Sequence, residues 1–184
     1  MLKRLQKLNK GDVLIEATSG NTGIGIAVWA AARGYKLITT MPEKASSEKE
    51  SILIGLGAEV VRTPTELQTN HIDSFLGVAM KLTDTIDNAF MLDQRSNPSN
   101  PISHYDGTGP EIWEQWEGKI DAVVIAAGSG GTITGVARFF KDKNPSIKII
   151  AVDIEGSVIA EPSELKTSKV KSIVEGLGMH FLLF

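Results

Sequence analysis

The strongest constraint in this chain is a series of short apolar runs that recur with helical patterns between them. Ala122-Val-Val-Ile-Ala-Ala127 and Ile149-Ile-Ala-Val152 contain no polar residue at all. That pattern suits strands of a parallel sheet buried on both faces. The same criterion predicts strands at Val13–Thr18, Lys36–Met41, Ala58–Thr63, Ala89–Leu92, Ala122–Ala127 and Ile147–Asp153. Between them Thr22–Arg33 reads as a helix stopped by Gly34. Ser47, with Glu50 three residues on, reads as the N-cap of a second, whose apolar stripe is Ile52, Leu53 and Leu56. Asp73–Leu82 and Thr132–Lys141 are amphipathic, and a further helix opens at Pro110 with Trp113 and Trp116 on its apolar side. Strands alternating with helices at this spacing imply right-handed βαβ units, hence an α/β fold of open, mostly parallel sheets.

The 184 residues suffice for one large domain or two small lobes. Arg95-Ser-Asn-Pro-Ser-Asn-Pro101 is the linker-like stretch and reads as a loop, dividing lobes of about 1–95 and 96–184. A net charge of −3 argues against a nucleic-acid partner, whose footprint is normally basic. No apolar run approaches the ~18 residues of a bilayer span, and the charged start Met1–Lys10 has no signal-peptide core, so no membrane partner is expected. The absence of cysteine excludes disulfides, thiolate metal sites and a cysteine nucleophile, and fits a cytoplasmic protein. His71, His104 and His180 show no metal-ligand spacing and read as surface or core residues, so no metal is expected.

Two loops could carry chemistry. Glu16-Ala-Thr-Ser-Gly-Asn-Thr-Gly23 places hydroxyls, a carboxamide and free amides at a helix N-terminus. It is either a carboxylate site or an ordinary N-cap. Gly128-Ser-Gly-Gly-Thr-Ile-Thr-Gly135 follows the most apolar strand, and its glycines let backbone amides converge on a phosphate, although such a turn can also be purely structural. It is not a Walker A loop, since no Lys-Ser or Lys-Thr pair ends it. As a dinucleotide fingerprint it is broken by Ile133, while Asp153 stands about where a ribose-binding acid would.

Taken together, in this order, the two loops resemble those of the fold-type II pyridoxal-phosphate (PLP) enzymes, the tryptophan-synthase-β-like group. Thr18-Ser-Gly-Asn-Thr22 resembles that group's asparagine loop and Gly128-Ser-Gly-Gly-Thr132 its phosphate loop. Met41-Pro-Glu-Lys-Ala-Ser-Ser-Glu-Lys49 and Asn97-Pro-Ser-Asn-Pro101-Ile-Ser-His-Tyr105 match its β-replacement members. Gly57-Ala-Glu-Val-Val-Arg-Thr-Pro-Thr65, Val152-Asp-Ile-Glu-Gly-Ser-Val-Ile-Ala-Glu-Pro162 and Val174-Glu-Gly-Leu-Gly178 favour the cystathionine β-synthase branch of the cystathionine β-synthase/cysteine synthase family.

The resemblance implies a three-layer α/β architecture in two lobes with PLP in a cleft between them. It implies that Asn21 bonds the cofactor's ring oxygen and that Gly128, Ser129, Gly130, Gly131 and Thr132 hold its phosphate. Thr18, Ser19, Gly20 and Thr22 would hold the amino-acid carboxylate, Gln94 would flank the ring, and Gly176 would line the site. The implied reaction is β-replacement in sulfur amino-acid metabolism, serine plus homocysteine to cystathionine. O-acetylserine sulfhydrylase activity, a non-catalytic partner of a full-length homologue, and an NAD-binding module are the alternatives. The implied partners are a small amino-acid substrate and a second subunit, either the same chain or a full-length homologue.

The pattern departs from the family in two places. The family's Schiff-base lysine lies in a Gly-Ser-x-Lys-Asp-Arg-like segment before the asparagine loop, and nothing of that kind precedes Thr18. Lys3, Lys7 and Lys10 resemble the helix after that segment, and the polar residue meeting the pyridine nitrogen would fall beyond Phe184. The expectation is a partial catalytic domain, ending in the apolar run Phe181-Leu-Leu-Phe184, with PLP held non-covalently, no catalytic residue of its own, and no turnover alone. Arg95 stands where these enzymes usually carry an aromatic residue, which is expected to change how a second substrate sits.

Overall fold

Strand β1 (Val13–Ala17) sits inside a parallel sheet with β2 (Lys36–Pro42), β3 (Glu59–Thr63) and β4 (Ala89–Met91), in the order β3-β2-β1-β4. This computed structural model describes residues 8–154 and Glu164. The chain divides into two units, Met1–Asp93 and Gln94–Phe184.

Successive residues of a strand point to opposite faces, and β1 feeds two cores in this way. Leu14 packs with Ala27 and Ala30 of α1 (Asn21–Arg33) and Leu53 of α2 (Ser47–Gly55). Its neighbour Ile15 packs with Ile38 and with Ala79 of α3 (Phe75–Thr85). Helices on both faces make three layers and leave Leu14 and Ile15 fully buried. The mixed α/β fold with parallel sheets is therefore as expected from the apolar runs.

The strand order has a functional consequence. From β1 the chain moves to β2 and β3 on one side, and β4 then joins the other side of β1, with Ile15 opposite Met91. The loops leaving β1 and β4 thus part at the C-terminal edge, a topological switch point of the kind where α/β sheets bind ligands.

In the second unit β5 (Ala122–Ala126) and β6 (Lys148–Val152) pair in parallel, joined through α6 (Gly131–Lys143). A helical run precedes them: α4 (Ser99–Ser103), a π-helical turn (His104–Thr108) and α5 (Gly109–Gln115). Val136, Phe140 and Ile147 form the core, with Trp113 and Phe139 packed against it. The Phe139 and Phe140 rings meet edge to face, centroids 5.8 Å apart.

Four local expectations are corrected. The apolar run of β5 is covered on one face among the described residues: Val123 and Ile125 face the core, while Val124 is 62% exposed. Ser99–Ser103 is helix, not loop; Pro98 is its cap and Pro101 lies in the first turn, where a missing N–H removes no helical bond. Ser47 is the first residue of α2 rather than its cap, because Glu50 is bound by Arg62 instead of closing a capping box. Trp116 is 63% exposed, so only Trp113 of that pair is core. No described helix is long and apolar enough to cross a membrane.

Candidate functional site

At the switch point the loop after β1 is held by its own backbone. The Thr18 amide donates to the Thr40 carbonyl at 3.0 Å, extending the pairing of β1 with β2 by one residue. Buried Thr18 in turn accepts from the Gly20 amide through Oγ1 at 3.2 Å. Gly20 is the cap of α1, and no side chain caps that terminus. Neither Ser19 nor Thr18 is spent as an N-cap, so the start of α1 is not the ordinary side-chain cap that the sequence offered as one reading. A Cβ on Gly23 would lie 2.8 Å from Thr18 Cγ2, so only glycine lets the first turn of α1 close on the loop. Asn21, at the first helical position, is exposed.

The neighbouring loop after β2 is gripped by Arg62 on β3. Its Nη1 donates to the carbonyls of Pro42 (3.1 Å), Glu43 (3.1 Å) and Ala45 (2.9 Å). Its Nε and Nη2 hold the Glu50 carboxylate at 3.1 and 2.5 Å. The hydrogen bond from Arg62 keeps the Glu50 carboxyl below its ordinary value, against a smaller desolvation effect. Beyond β4, Leu92 donates to the Ile15 carbonyl at 3.1 Å, and Asp93 turns the chain with φ +50°.

The second unit holds the other loop. Gly130 caps α6 with φ +88°, a conformation that favours glycine, and no side chain caps this terminus either. The hydroxyls that flank it are fixed from outside the loop. Asn100 Nδ2 donates to Ser129 Oγ at 3.0 Å and to the Gln94 carbonyl at 2.9 Å. Thr132 Oγ1 meets His104 Nε2 at 3.2 Å, and His104 Nδ1 meets Thr108 Oγ1 at 2.9 Å. Close approach makes these contacts available: a Cβ on Gly131 would collide with the Asn100 carboxamide. One on Gly135 would lie 2.7 Å from His104 Cβ, and one on Gly109 2.9 Å from Phe139. Residues 131, 135 and 139 recur every fourth position, the stripe by which α6 seats on the run Ser99–Gln115.

Thr18, Ser19, Gly20, Asn21 and Thr22 thus lie together in the first unit, and Gln94 and Gly128–Thr132 together in the second. Gly176 lies outside the described residues, as do His180 and Phe181–Phe184. Sequence reasoning missed Arg62, Asn100 and His104 as site-building residues. Their segments carried the family resemblance, but no spacing rule marked the side chains. Among the described residues no group of His, Asp or Glu could hold a metal ion.

The second loop fits a phosphate-bearing cofactor such as PLP. It offers an uncapped helix terminus, two buried glycines and two hydroxyls held in place by Asn100 and His104, with no acidic residue in the first turn of α6. Asp153, the acid on which the NAD alternative rests, accepts from the amide of the next residue, Ile154, at 2.8 Å.

Comparison with known proteins agrees. A family profile described as pyridoxal-phosphate dependent enzyme matches residues 1–183. Cystathionine beta-synthase of Dictyostelium discoideum is 52% identical over 176 residues, 96% of this chain and 35% of that protein. The Rattus norvegicus protein of the same name is 52% identical over 181 residues, 98% of this chain and 32% of that protein. The solved structure of O-acetylserine dependent cystathionine beta-synthase from Helicobacter pylori matches with TM-score 0.84 at 34% identity. It covers 94% of this chain and 54% of that one. The chain therefore spans about a third of the length of these curated relatives.

Proposed function

The chain belongs to the pyridoxal-phosphate dependent enzyme family, and on that premise we propose that it supplies the phosphate-holding and carboxylate-holding loops of a β-replacement enzyme of sulfur amino-acid metabolism. The observation that carries this reading is the uncapped N-terminus of α6 flanked by the hydroxyls of Ser129 and Thr132, which Asn100 and His104 hold from outside the loop.

In this reading Gly128–Thr132 hold the phosphate of PLP, and Asn21 bonds the ring oxygen. Thr18, Ser19, Gly20 and Thr22 hold the carboxylate of the amino acid at the uncapped start of α1. Gln94 flanks the ring and Gly176 lines the site. Bound PLP supplies an electron sink that permits exchange of the β-substituent of an amino acid. The share proposed for this chain is to anchor and orient the cofactor by non-covalent contacts.

The substrates proposed are serine and homocysteine, giving cystathionine in transsulfuration, because the curated relatives at 52% identity carry the cystathionine beta-synthase name. O-acetylserine as the first substrate is the second reading, favoured by the name of the Helicobacter pylori relative, an O-acetylserine dependent cystathionine beta-synthase. A cytoplasmic location and association with a second copy or a full-length homologue complete the proposal.

Calorimetric titration with PLP, pyridoxal and NAD tests it. Saturable binding of PLP, weaker binding of pyridoxal and none of NAD is expected, with no lysine adduct in a site peptide after borohydride. Preference for NAD, or no saturable PLP binding, overturns it. Size-exclusion chromatography with a full-length relative tests the association, and separate elution removes it.

A further inference from the structure

Ser129 is the loop hydroxyl whose direction is decided by one carboxamide. Nδ2 of Asn100 carries two hydrogens, and each has an acceptor: the Gln94 carbonyl at 2.9 Å and Ser129 Oγ at 3.0 Å. The Gln94 carbonyl can only accept, so it fixes which end of the carboxamide is NH2 and makes Ser129 Oγ the acceptor of the second hydrogen. The other end, Oδ1, lies against Gly131 at the place a Cβ would occupy, so the group is held from behind as well. Its backbone is no freer, since Asn100 is in the first turn of α4 between Pro98 and Pro101.

We infer that Asn100 is a positioning residue that releases the Ser129 proton toward a phosphate and ties that loop to Gln94. A serine hydroxyl has one proton and two lone pairs. Because Ser129 Oγ accepts from Asn100, its own O–H does not donate back to that residue and is available to an anion at the α6 terminus. An aspartate of the same shape would do the opposite. Its carboxylate only accepts, so it would draw the Ser129 proton to itself and place a negative charge beside the phosphate. The polarity of this one carboxamide, rather than its bulk, therefore sets how well the loop donates.

This inference rests on the PLP reading, and a double-mutant cycle separates the two. Dissociation constants for PLP and for pyridoxal, with the 31P shift of bound PLP, are measured on the full chain. The proteins are the wild type, Asn100→Ala, Asn100→Asp, Ser129→Ala and Asn100→Ala/Ser129→Ala. PLP binding weakens about tenfold in Asn100→Ala and about a hundredfold in Asn100→Asp, where a charge is also opposed. Pyridoxal binding changes less than about twofold, because it has no phosphate to lose. In the Ser129→Ala background Asn100→Ala has little further effect, and the 31P shift moves in both single alanine variants. If Asn100→Ala does not fold by circular dichroism, the cycle is run with Asn100→Leu, which is of similar size, removes the donor and adds no charge. Full additivity, or equal losses for PLP and pyridoxal, overturns the role given to Asn100 and leaves the PLP reading standing. A wild type that binds no PLP overturns both.

Discussion

Arg62 grips Glu50 with two nitrogens, Nε to Oε1 at 3.1 Å and Nη2 to Oε2 at 2.5 Å, while its Nη1 serves three carbonyls of the adjoining loop. The pair ties the loop after β2 to β3 and α2 at the edge that also carries Thr18–Asn21. Glu50 is held below its ordinary 4.5, first by the hydrogen bond from Arg62 and then by its charge. A carboxyl depressed in the folded state stabilises fully above its unfolded value, and that contribution is lost as pH falls through the folded one. Wild type and Glu50→Gln should therefore differ in melting temperature above about pH 4.5 and converge in more acid solution. Arg62→Lys should lose most of the difference as well, since an ammonium cannot fork to a carboxylate and reach the carbonyls together. Parallel melting curves at every pH would contradict the assignment.

Gly131 and Gly25 offer opposite outcomes for the same substitution. A Cβ on Gly131 collides with Asn100, whereas one on Gly25, exposed in α1, meets nothing within 4 Å. Gly131→Ala should destabilise by about 1–3 kcal/mol, as overpacked sites do, and lower PLP affinity at least about tenfold. Gly25→Ala should stabilise by about 0.5–1 kcal/mol through helix propensity. Thermal melts of the two variants check both signs.

Why these positions behave so differently could be read only in part from the sequence. The six strands were legible to within one or two residues, because continuous apolar runs such as Ala122–Ala126 need no knowledge of partners. Both glycine-rich loops were legible too, since their chemistry is local and largely backbone. Ser99–Ser103 was not: Asn, Ser and Pro are loop formers by composition, and only its position in a first turn makes Pro101 harmless. Ser47 and Glu50 matched a capping box, but a partner twelve positions along the chain, Arg62, took the carboxylate. Asn100 and His104 reach loop residues 29 and 28 positions away, and no periodicity encodes contacts of that span.

Tyr105 donates its phenol to Asp142 Oδ2 at 2.9 Å, tying the π-helical turn to α6. That hydrogen bond, followed by the carboxylate's charge, holds the phenol above its ordinary 10. A group raised in the folded state stabilises below its unfolded value, and the contribution is lost as pH rises through the folded one. The chain has two tyrosines, so phenolate absorbance in a Tyr35→Phe background reports Tyr105 alone. Its midpoint should lie above 10 and fall toward it in Asp142→Asn. An unchanged midpoint in that variant would remove Asp142 as the cause.

His104 stands between two hydroxyls, Nδ1 to Thr108 Oγ1 at 2.9 Å and Nε2 to Thr132 Oγ1 at 3.2 Å. A neutral imidazole donates at one nitrogen and accepts at the other, so the two threonines cannot play the same part. With the proton on Nε2 the ring donates to Thr132, whose own hydroxyl is then free to turn to a phosphate; Thr108 donates to Nδ1. With the proton on Nδ1 the Thr132 hydroxyl is drawn to the ring and away from an anion. Binding of PLP should therefore drive the ring to the Nε2-protonated form, read directly from the 15N shifts of His104. Thr108→Val removes the donor that supports that form and should weaken PLP about twofold to fivefold, although Thr108 lies outside the loop. Thr132→Val should abolish this sensitivity to Thr108, because the ring would then have no loop hydroxyl through which to act. A ring whose 15N shifts are the same with and without bound PLP would show that His104 only packs the start of α6.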